Sequence, residues 1–332
     1  MVTSDNNTFW PKKYCVIGLS PMDDITDMPF RSLCKSFGAD LLVTEFVASE
    51  AINHEAEKSY RKMRFEEGQR PLGIQIFGAD EAALLQCLET VEAQQPDFID
   101  INWGCPARKV AGRGAGSGML KDPALLVQIT ASVVRHAHLP VTVKTRLGYD
   151  DSDKPIVQLA EALQDVGVAA LSIHGRTKCQ MYRGEADWSL IGAVKNNPRM
   201  TIPILGNGDI TTAQQALEAR NRYGVDGILI GRGAIGNPWI FEQTQRLLRG
   251  EAERPVSVAE RVEVCRRHIL QSVDFKGERA TLFEMRKHYG NYFHGLPHFK
   301  PFRMGLVTLT DLTELLHLLE KIKEEYGDCL NA

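Results

Sequence analysis

Short runs rich in Val, Ile and Leu recur along the first three quarters of the chain, each ending in a small or polar residue. Runs of that kind mark strands of a parallel sheet buried on both faces. They predict strands over about 16–20, 40–45, 72–77, 98–102, 141–145, 169–174, 202–206 and 227–231. Between them, apolar residues at helical spacing predict helices over 80–93, 124–136, 155–166, 212–221 and 239–248. Alternation of strand and helix defines an α/β fold with a parallel sheet. Eight such units in about 235 residues match a (β/α)8 TIM barrel. The rival, a doubly wound sheet, normally carries a glycine fingerprint after its first strand, and the segment after Ser20 has none.

The pattern changes at the polar link 250–255 (GEAERP). Beyond it no strand pattern remains. Helices are predicted over 256–275, 279–293 and 311–326, the last with Leu312, Leu315, Leu316, Leu319 and Ile322 on one face. The expected organisation is a barrel over residues 1–250 followed by a C-terminal helical domain over 251–332.

Composition narrows the class. Of 332 residues, 24% are charged and 43% hydrophobic, the balance of a globular protein. No apolar run approaches the roughly 18 residues of a membrane span. Asp5, Asn6 and Asn7 stand where a signal peptide would need its apolar core, so neither export nor membrane insertion is expected. The seven cysteines are scattered, with neither zinc spacing nor a paired framework, which fits a reducing cytoplasm and no metal. A formal charge of −3 excludes a globally basic nucleic-acid binder but not a local basic face.

Candidate chemistry gathers at the strand ends. Asn102, Lys144, His174, Asn207 and Arg232 each fall at or just past the C-terminal end of a different strand. In a barrel those ends converge on one mouth, where active sites sit. Cys105 follows in Asn-Trp-Gly-Cys-Pro (102–106), on a loop whose glycines 112, 114, 116 and 118 suggest a flexible lid and whose Arg108, Lys109 and Arg113 suggest positive charge near the thiol. Lys144 could neutralise an anionic cofactor ring or form a Schiff base. His174, with Arg176 close by, could donate to a carbonyl. Each has a plain structural alternative: an inert cysteine in a turn, a solvated lysine, a core histidine. Gly206-Asn207-Gly208-Asp209 and Gly231-Arg232-Gly233 close the last two strands, where barrels bind phosphate, and flavin mononucleotide (FMN) is a common occupant. There is no Walker loop and no Rossmann fingerprint.

The helical domain holds a local basic stretch. From Arg261 to Arg303 there are nine Lys and Arg against four Asp and Glu, with Phe283, Tyr289, Tyr292, Phe293, Phe299 and Phe302 interleaved. Basic groups bind phosphates and aromatic faces can stack on bases, although a solvated helix face reads the same way.

Together these motifs resemble the tRNA-dihydrouridine synthases. They stand here in the family's order as Ser-Pro-Met-Asp-Asp-Ile-Thr-Asp (20–27), Gly-Ile-Gln-Ile-Phe-Gly (73–78), Asp-Ile-Asn-Trp-Gly-Cys-Pro-Ala-Arg-Lys-Val (100–110), Val-Lys-Thr-Arg-Leu-Gly (143–148), Ile-His-Gly-Arg-Thr (173–177), Gly-Asn-Gly-Asp-Ile (206–210) and Ile-Gly-Arg-Gly (230–233). The helical domain, with Arg-Lys-His-Tyr at 286–289, is similar to the bacterial B branch. The resemblance implies a flavoenzyme that uses NADPH (NADH being possible) to reduce a D-loop uridine of tRNA, position 17 by the branch, to 5,6-dihydrouridine. It implies that Pro21, Met22, Asp23, Gln75, Lys144, His174, Asn207, Gly208, Asp209, Gly231 and Arg232 surround FMN. Cys105 is implied as proton donor to C5 after hydride reaches C6, with Asn102, Arg176, Arg286 and Lys287 touching the tRNA substrate. Two positions depart from the family pattern. Trp103 is expected to narrow or wall the uracil pocket, and Asp23 brings a carboxylate near the flavin. Two other classes fit the barrel alone: a flavin enzyme acting on a free small molecule, and a non-redox RNA-binding module. The basic helical appendage argues against the first, the intact Cys105, Lys144 and His174 against the second.

Overall fold

The computed structural model describes residues 9–13 and 15–330; the polar run with Asp5, Asn6 and Asn7 lies outside them. Nine strands are found among the described residues: β1 (Val16–Leu19), β2 (Leu42–Val43), β3 (Val47–Ala48), β4 (Leu72–Phe77), β5 (Phe98–Trp103), β6 (Val141–Arg146), β7 (Ala170–His174), β8 (Ile204–Asn207) and β9 (Gly227–Ile230). All pairings between them are parallel, in the order β1-β9-β8-β7-β6-β5-β4-β2. The ends of that order meet. The Leu19 amide donates to the Leu41 carbonyl at 3.0 Å and the Asp40 amide to that of Ile17 at 2.7 Å, which all but closes an eight-stranded barrel.

The eight predicted strands are present, but the second is broken. Leu42 and Val43 pair with Leu72 and Gly73, whereas Val47 and Ala48 pair with Ile76 and Phe77, so one extra residue is accommodated between them. This is a bulge. Thr44 maintains the ladder through it, its Oγ1 accepting from the Gln75 amide at 3.1 Å. The consequence for the mouth is that Phe46 lines the cavity beside it.

The barrel helices are α1 (Met28–Ser36), α2 (Ser49–Asn53), α3 (Glu57–Met63), α4 (Glu81–Glu92), α5 (Arg108–Ala111), α6 (Pro123–His136), α7 (Ile156–Asp165), α8 (Ser189–Lys195), α9 (Ala213–Tyr223) and α10 (Trp239–Leu248). Side-chain caps explain why several predicted starts hold. Asp80 accepts from the Ala83 amide, Asp122 from that of Leu125, and Thr212 with Gln215 forms a capping box closed at the far end by left-handed Gly224. The pattern did not announce α1, α2, α3 or α8, each nine residues or fewer.

The chain then forms α11 (Val258–Lys276), α12 (Glu278–Glu284), α13 (Arg286–Tyr292), α14 (Lys300–Thr308) and α15 (Leu312–Tyr326). The single helix expected over 279–293 is thus two, joined at Met285. These helices share a buried core with the barrel. The Phe30 ring of α1 lies 5.4 Å from that of His268 and 5.0 Å from that of His288. The link at 250–255 is fastened too: Arg254 bonds Glu242 of α10 and Glu260 of α11, both at 2.7–2.8 Å. Among the described residues no helix is long and apolar enough to cross a membrane.

Candidate functional site

A cavity of about 510 Å³ opens at the C-terminal ends of the strands. Pro21, Met22 and Asp23 line it from the β1–α1 loop, Asn102 and Cys105 from the end of β5, and Lys144 from β6. His174 comes from β7, Asn207, Gly208 and Asp209 from β8, and Gly231 with Arg232 from β9. The strand-end residues singled out in the sequence therefore converge. Two others stand behind the wall. Gln75 is fully buried, its Oε1 accepting from Asn102 Nδ2 at 2.8 Å and its Nε2 donating to Asp100. Arg176 is 2% exposed and binds Asp209 at 2.6 Å and the Gly184 carbonyl.

Asn102 shapes the cysteine loop. Its Oδ1 accepts from the amides of both Gly104 (2.9 Å) and Cys105 (2.8 Å), turning the chain sharply off β5. Ser117 holds the other side, its Oγ donating to the Cys105 carbonyl at 2.8 Å. Two of the loop's glycines allow close packing. A Cβ on Gly116, which has φ +54°, would lie 3.0 Å from the Cys105 carbonyl oxygen, and one on Gly118 would lie 2.5 Å from that of Ala111. Arg108, Lys109 and Arg113 are exposed. The cations acting on the thiol are Arg146 and Lys144 instead.

Burial dominates the electrostatics. It pushes the Cys105 thiol above 9.0, with Asp23 adding to the rise and an amide hydrogen bond from Ala107, Arg146 and Lys144 opposing it. Cys105 is therefore a protonated thiol at neutral pH. Burial and neighbouring Arg146 lower Lys144 to about 8, while its ammonium donates to Asn207 Oδ1 at 3.0 Å. His174 falls well below 6.5, by burial and then by Arg146, Lys144, Arg176 and Arg232, so the ring is neutral. Asp209, in the left-handed region at φ +55°, is lowered: burial alone would raise it, but the Arg176 hydrogen bond, the Ala186 amide and the two arginines outweigh that. Arg232 reaches it at 3.1 Å and remains half-exposed at the cavity edge.

Several site residues were missed. Arg146, two residues after Lys144 on the same face of β6, lines the cavity and donates to the carbonyls of Gly104 (2.7 Å), Thr177 (3.0 Å) and Met181 (2.9 Å). Period-two alternation from Lys144 was the available signal. Tyr182, with its ring under Arg146 and Arg232, had no signal beyond its loop position. Trp103 corrects an expectation: it is fully buried on the outer side of the barrel, its Nε1 bonded to Thr130 of α6 at 3.0 Å, and does not wall the pocket. Asp23 is answered by Lys62 of α3, which bonds it and lies 3.3 Å from Glu45.

The basic stretch of the helical domain is not one surface. Tyr289, Tyr292 and Phe293 are buried, as are His268, His288 and Arg261. Arg266 pairs with Glu320, and Lys276 lies between Asp27 and Glu284. Arg286 is half-buried over the exposed Phe283 ring at 4.4 Å, and Lys287 is exposed with its ammonium on the Asp24 carbonyl. Neither lines the cavity; Arg279, Lys300 and Arg303 are also exposed.

A parallel (β/α)8 barrel with a cationic, glycine-edged mouth, a protonated cysteine and an appended helical domain is an enzyme architecture. The sequence matches the family model for dihydrouridine synthase over residues 18–326. A probable tRNA-dihydrouridine synthase of Rickettsia conorii is 39% identical over 316 residues, 95% of this chain and 94% of that protein. The tRNA-dihydrouridine synthase B of Pseudomonas aeruginosa is 37% identical over 294 residues, 88% of each chain. The chain belongs to the dihydrouridine synthase family, and so to a class of oxidoreductases. Among solved structures, 6-hydroxypseudooxynicotine amine oxidase from Pseudomonas geniculata (TM-score 0.55, 12% identity) covers 77% of this chain, which spans 50% of that one. A 2-naphthoyl-CoA reductase (TM-score 0.55, 9% identity) covers 74%, with 52% of its own length spanned. These two share the barrel fold.

Proposed function

We propose that this protein is an FMN-dependent, NADPH-driven tRNA-dihydrouridine synthase that reduces the C5=C6 bond of a D-loop uridine, with Cys105 as the proton donor to C5. The observation that carries the mechanism is the half-buried, neutral thiol on the wall of a cavity that also holds Lys144, Arg146 and Arg232. A flavin phosphate and carbonyl-bearing ring suit the donors present: Lys144, the half-exposed Arg232, and the glycine-flanked turns at Asn207–Asp209 and Gly231. Gly231 in particular faces Met22 and Ser20 with no side chain between, leaving room at that edge.

Bound there, FMN supplies the hydride for C6. The protein's own residues do the rest. Reduction at C6 places negative charge on C5 and the C4 carbonyl, and a positioned acid must meet it. Cys105 holds that proton on Sγ, and Asn102 fixes the loop through the amides of residues 104 and 105. Lys144 and Arg146 provide donors for developing carbonyl charge in a site where such interactions are strong. Neutral His174 is a second donor, whereas Arg176 acts at one remove by fastening Asp209. The target base must leave the tRNA fold to enter the mouth, and exposed Lys287 with half-buried Arg286 on α13 is placed to hold phosphate outside it. The test is to map dihydrouridine in tRNA from cells lacking the protein, before and after its return. Loss and recovery at one D-loop position is expected; an unchanged map overturns the reading.

A further inference from the structure

The β1–α1 loop, residues 20–27, has two faces. The inner face lines the cavity through Pro21, Met22, Asp23 and Ile25. The outer face is gripped from other parts of the chain. Within the loop a tight turn forms, the Thr26 amide donating to the Met22 carbonyl at 3.0 Å and Thr26 Oγ1 accepting from the Met22 amide at 3.0 Å. This turn carries Asp24 into the left-handed region, φ +57°, which is uncommon for residues other than glycine and which aspartate tolerates better than most.

Both backbone groups of Asp24 are held from outside the loop. Its N–H donates to Glu45 Oε1 at 2.7 Å, from the bulge after β2. Its carbonyl accepts from Lys287 Nζ, 263 residues away on α13. At the end of the loop, Asp27 Oδ1 caps α1 by accepting from the Phe30 amide, and its Oδ2 accepts from Lys276 Nζ of α11 at 2.5 Å. Lys276 is only 10% exposed and Asp27 12%, so this pair is shielded from water and salt. Glu284 completes the lysine's shell. Hence the helical domain supplies two ammonium groups to the outer face of a loop whose inner face forms the cavity.

We propose that Lys276 is a positioning residue for the cofactor cavity: with Lys287 it makes the helical domain the outer half of a clamp that holds loop 20–27 in its binding shape. Cofactor affinity then depends on a residue that does not touch the cavity. The inference rests on the flavin reading given above.

The test uses the full-length holoenzyme. FMN fluorescence released on dilution gives the dissociation constant for wild type, Lys276→Met, Lys276→Arg, Asp27→Asn and the Asp27→Asn/Lys276→Met double variant. Asn still caps a helix, so Asp27→Asn removes the ion pair and leaves α1 intact. Lys323→Ala, which breaks a surface pair with Glu263 in the same domain, controls for general loosening. Weakening on the order of tenfold is expected for Lys276→Met and for Asp27→Asn, equivalent to about 1.4 kcal/mol. The double variant should be no weaker than Lys276→Met alone, Lys276→Arg should recover most of the affinity, and Lys323→Ala should match wild type. Wild-type FMN affinity in folded Lys276→Met, or losses that add in the double variant, overturns the proposal. If Lys276→Met fails to fold, Asp27→Asn decides alone. Amide hydrogen exchange over residues 20–27 reads the clamp without a cofactor: faster exchange in the variants supports it and unchanged exchange overturns it. A wild-type protein that binds no FMN sinks the flavin reading instead, and leaves the exchange result standing.

Discussion

Replacing Cys105 with alanine isolates one proton. The loop bearing it is held by backbone contacts: Asn102 grips the amides of 104 and 105, and Ser117 the carbonyl of 105. None of these involves Sγ, whose own contact is with the Ala107 amide, so the loop should keep most of its shape in the variant. The residue is partly exposed at the cavity wall, so losing the sulfur should cost about 1 kcal/mol of stability or less. What remains is loss of the acid. A thiol raised above 9.0 is at least roughly 95% protonated at pH 7.5, so wild type is almost fully in the competent form. A positioned acid is worth about 100–10,000-fold, and C5 is a weakly activated centre for which water substitutes badly, so the upper half of that range is expected. Cys105→Ala should keep its flavin, still be reduced by NADPH and still bind tRNA. Cys105→Ser keeps a proton, but a far less acidic one, and should fall close to Ala. The assay is single-turnover reoxidation of pre-reduced enzyme by tRNA. Reoxidation of Cys105→Ala at the wild-type rate would refute the reasoning and make His174 the next candidate.

Lys144 titrates at about 8, so its ammonium is present at pH 7 and lost as pH rises past 8; product formation should decline there, ahead of the thiol, and Lys144→Met should lack that limb of the pH profile. His268 and His288 are buried and neutral, His268 held at about 3, so the unfolded state takes up protons the folded state refuses. Stability should therefore be fully present above about pH 6.5 and fall on acidification, by up to ~1.4 kcal/mol per pH unit per histidine, measured by urea denaturation between pH 5 and 7; a flat profile contradicts their burial. A Cβ on Gly206 would fall 2.0 Å from the Trp188 ring, so Gly206→Ala should cost about 1–3 kcal/mol and lower the melting temperature by several degrees; an unchanged melting curve counts against that packing. Arg286→Ala should weaken tRNA binding and reduce the slope of log affinity against log salt by about 1, and an unaltered slope removes Arg286 from the RNA contact.

The barrel was legible because each buried strand writes a Val/Ile/Leu run that a water-facing segment would not tolerate. The second strand was only half legible. Its break depends on Thr44 replacing a backbone partner for Gln75, which no apolar pattern records. Helices α1 and α14 carry proline in their first turn and are nine residues long, too short for their apolar residues to establish a period. At the site, strand ends could be read because every strand points the same way. The face a side chain takes follows period-two alternation, but only once the strand is known to run that far. Trp103 extends β5 by one residue and so points outward to Thr130, while Arg146 extends β6 and points inward beside Lys144. The basic stretch misled for a related reason: His268 of α11 and His288 of α13 bury themselves against Phe30, contacts between residues more than 230 positions apart.

A carboxylate that never reaches the cavity gives the mouth its sense of direction. Asp100 is buried beneath it and accepts one hydrogen bond from Thr142 Oγ1 and another from Gln75 Nε2. An amide has two ends of similar shape and opposite polarity. Because an ionised Asp100 can only accept, Gln75 must offer its nitrogen and turn its oxygen outward. Asn102 must then offer nitrogen to that oxygen, and its own oxygen faces the amides of Gly104 and Cys105. The orientation of two side chains is thus copied outward from one charge, like a written order passed along a row. Exchange Asp100 for Asn and the row loses its author: either amide can reverse, and the turn that presents the cysteine is no longer specified.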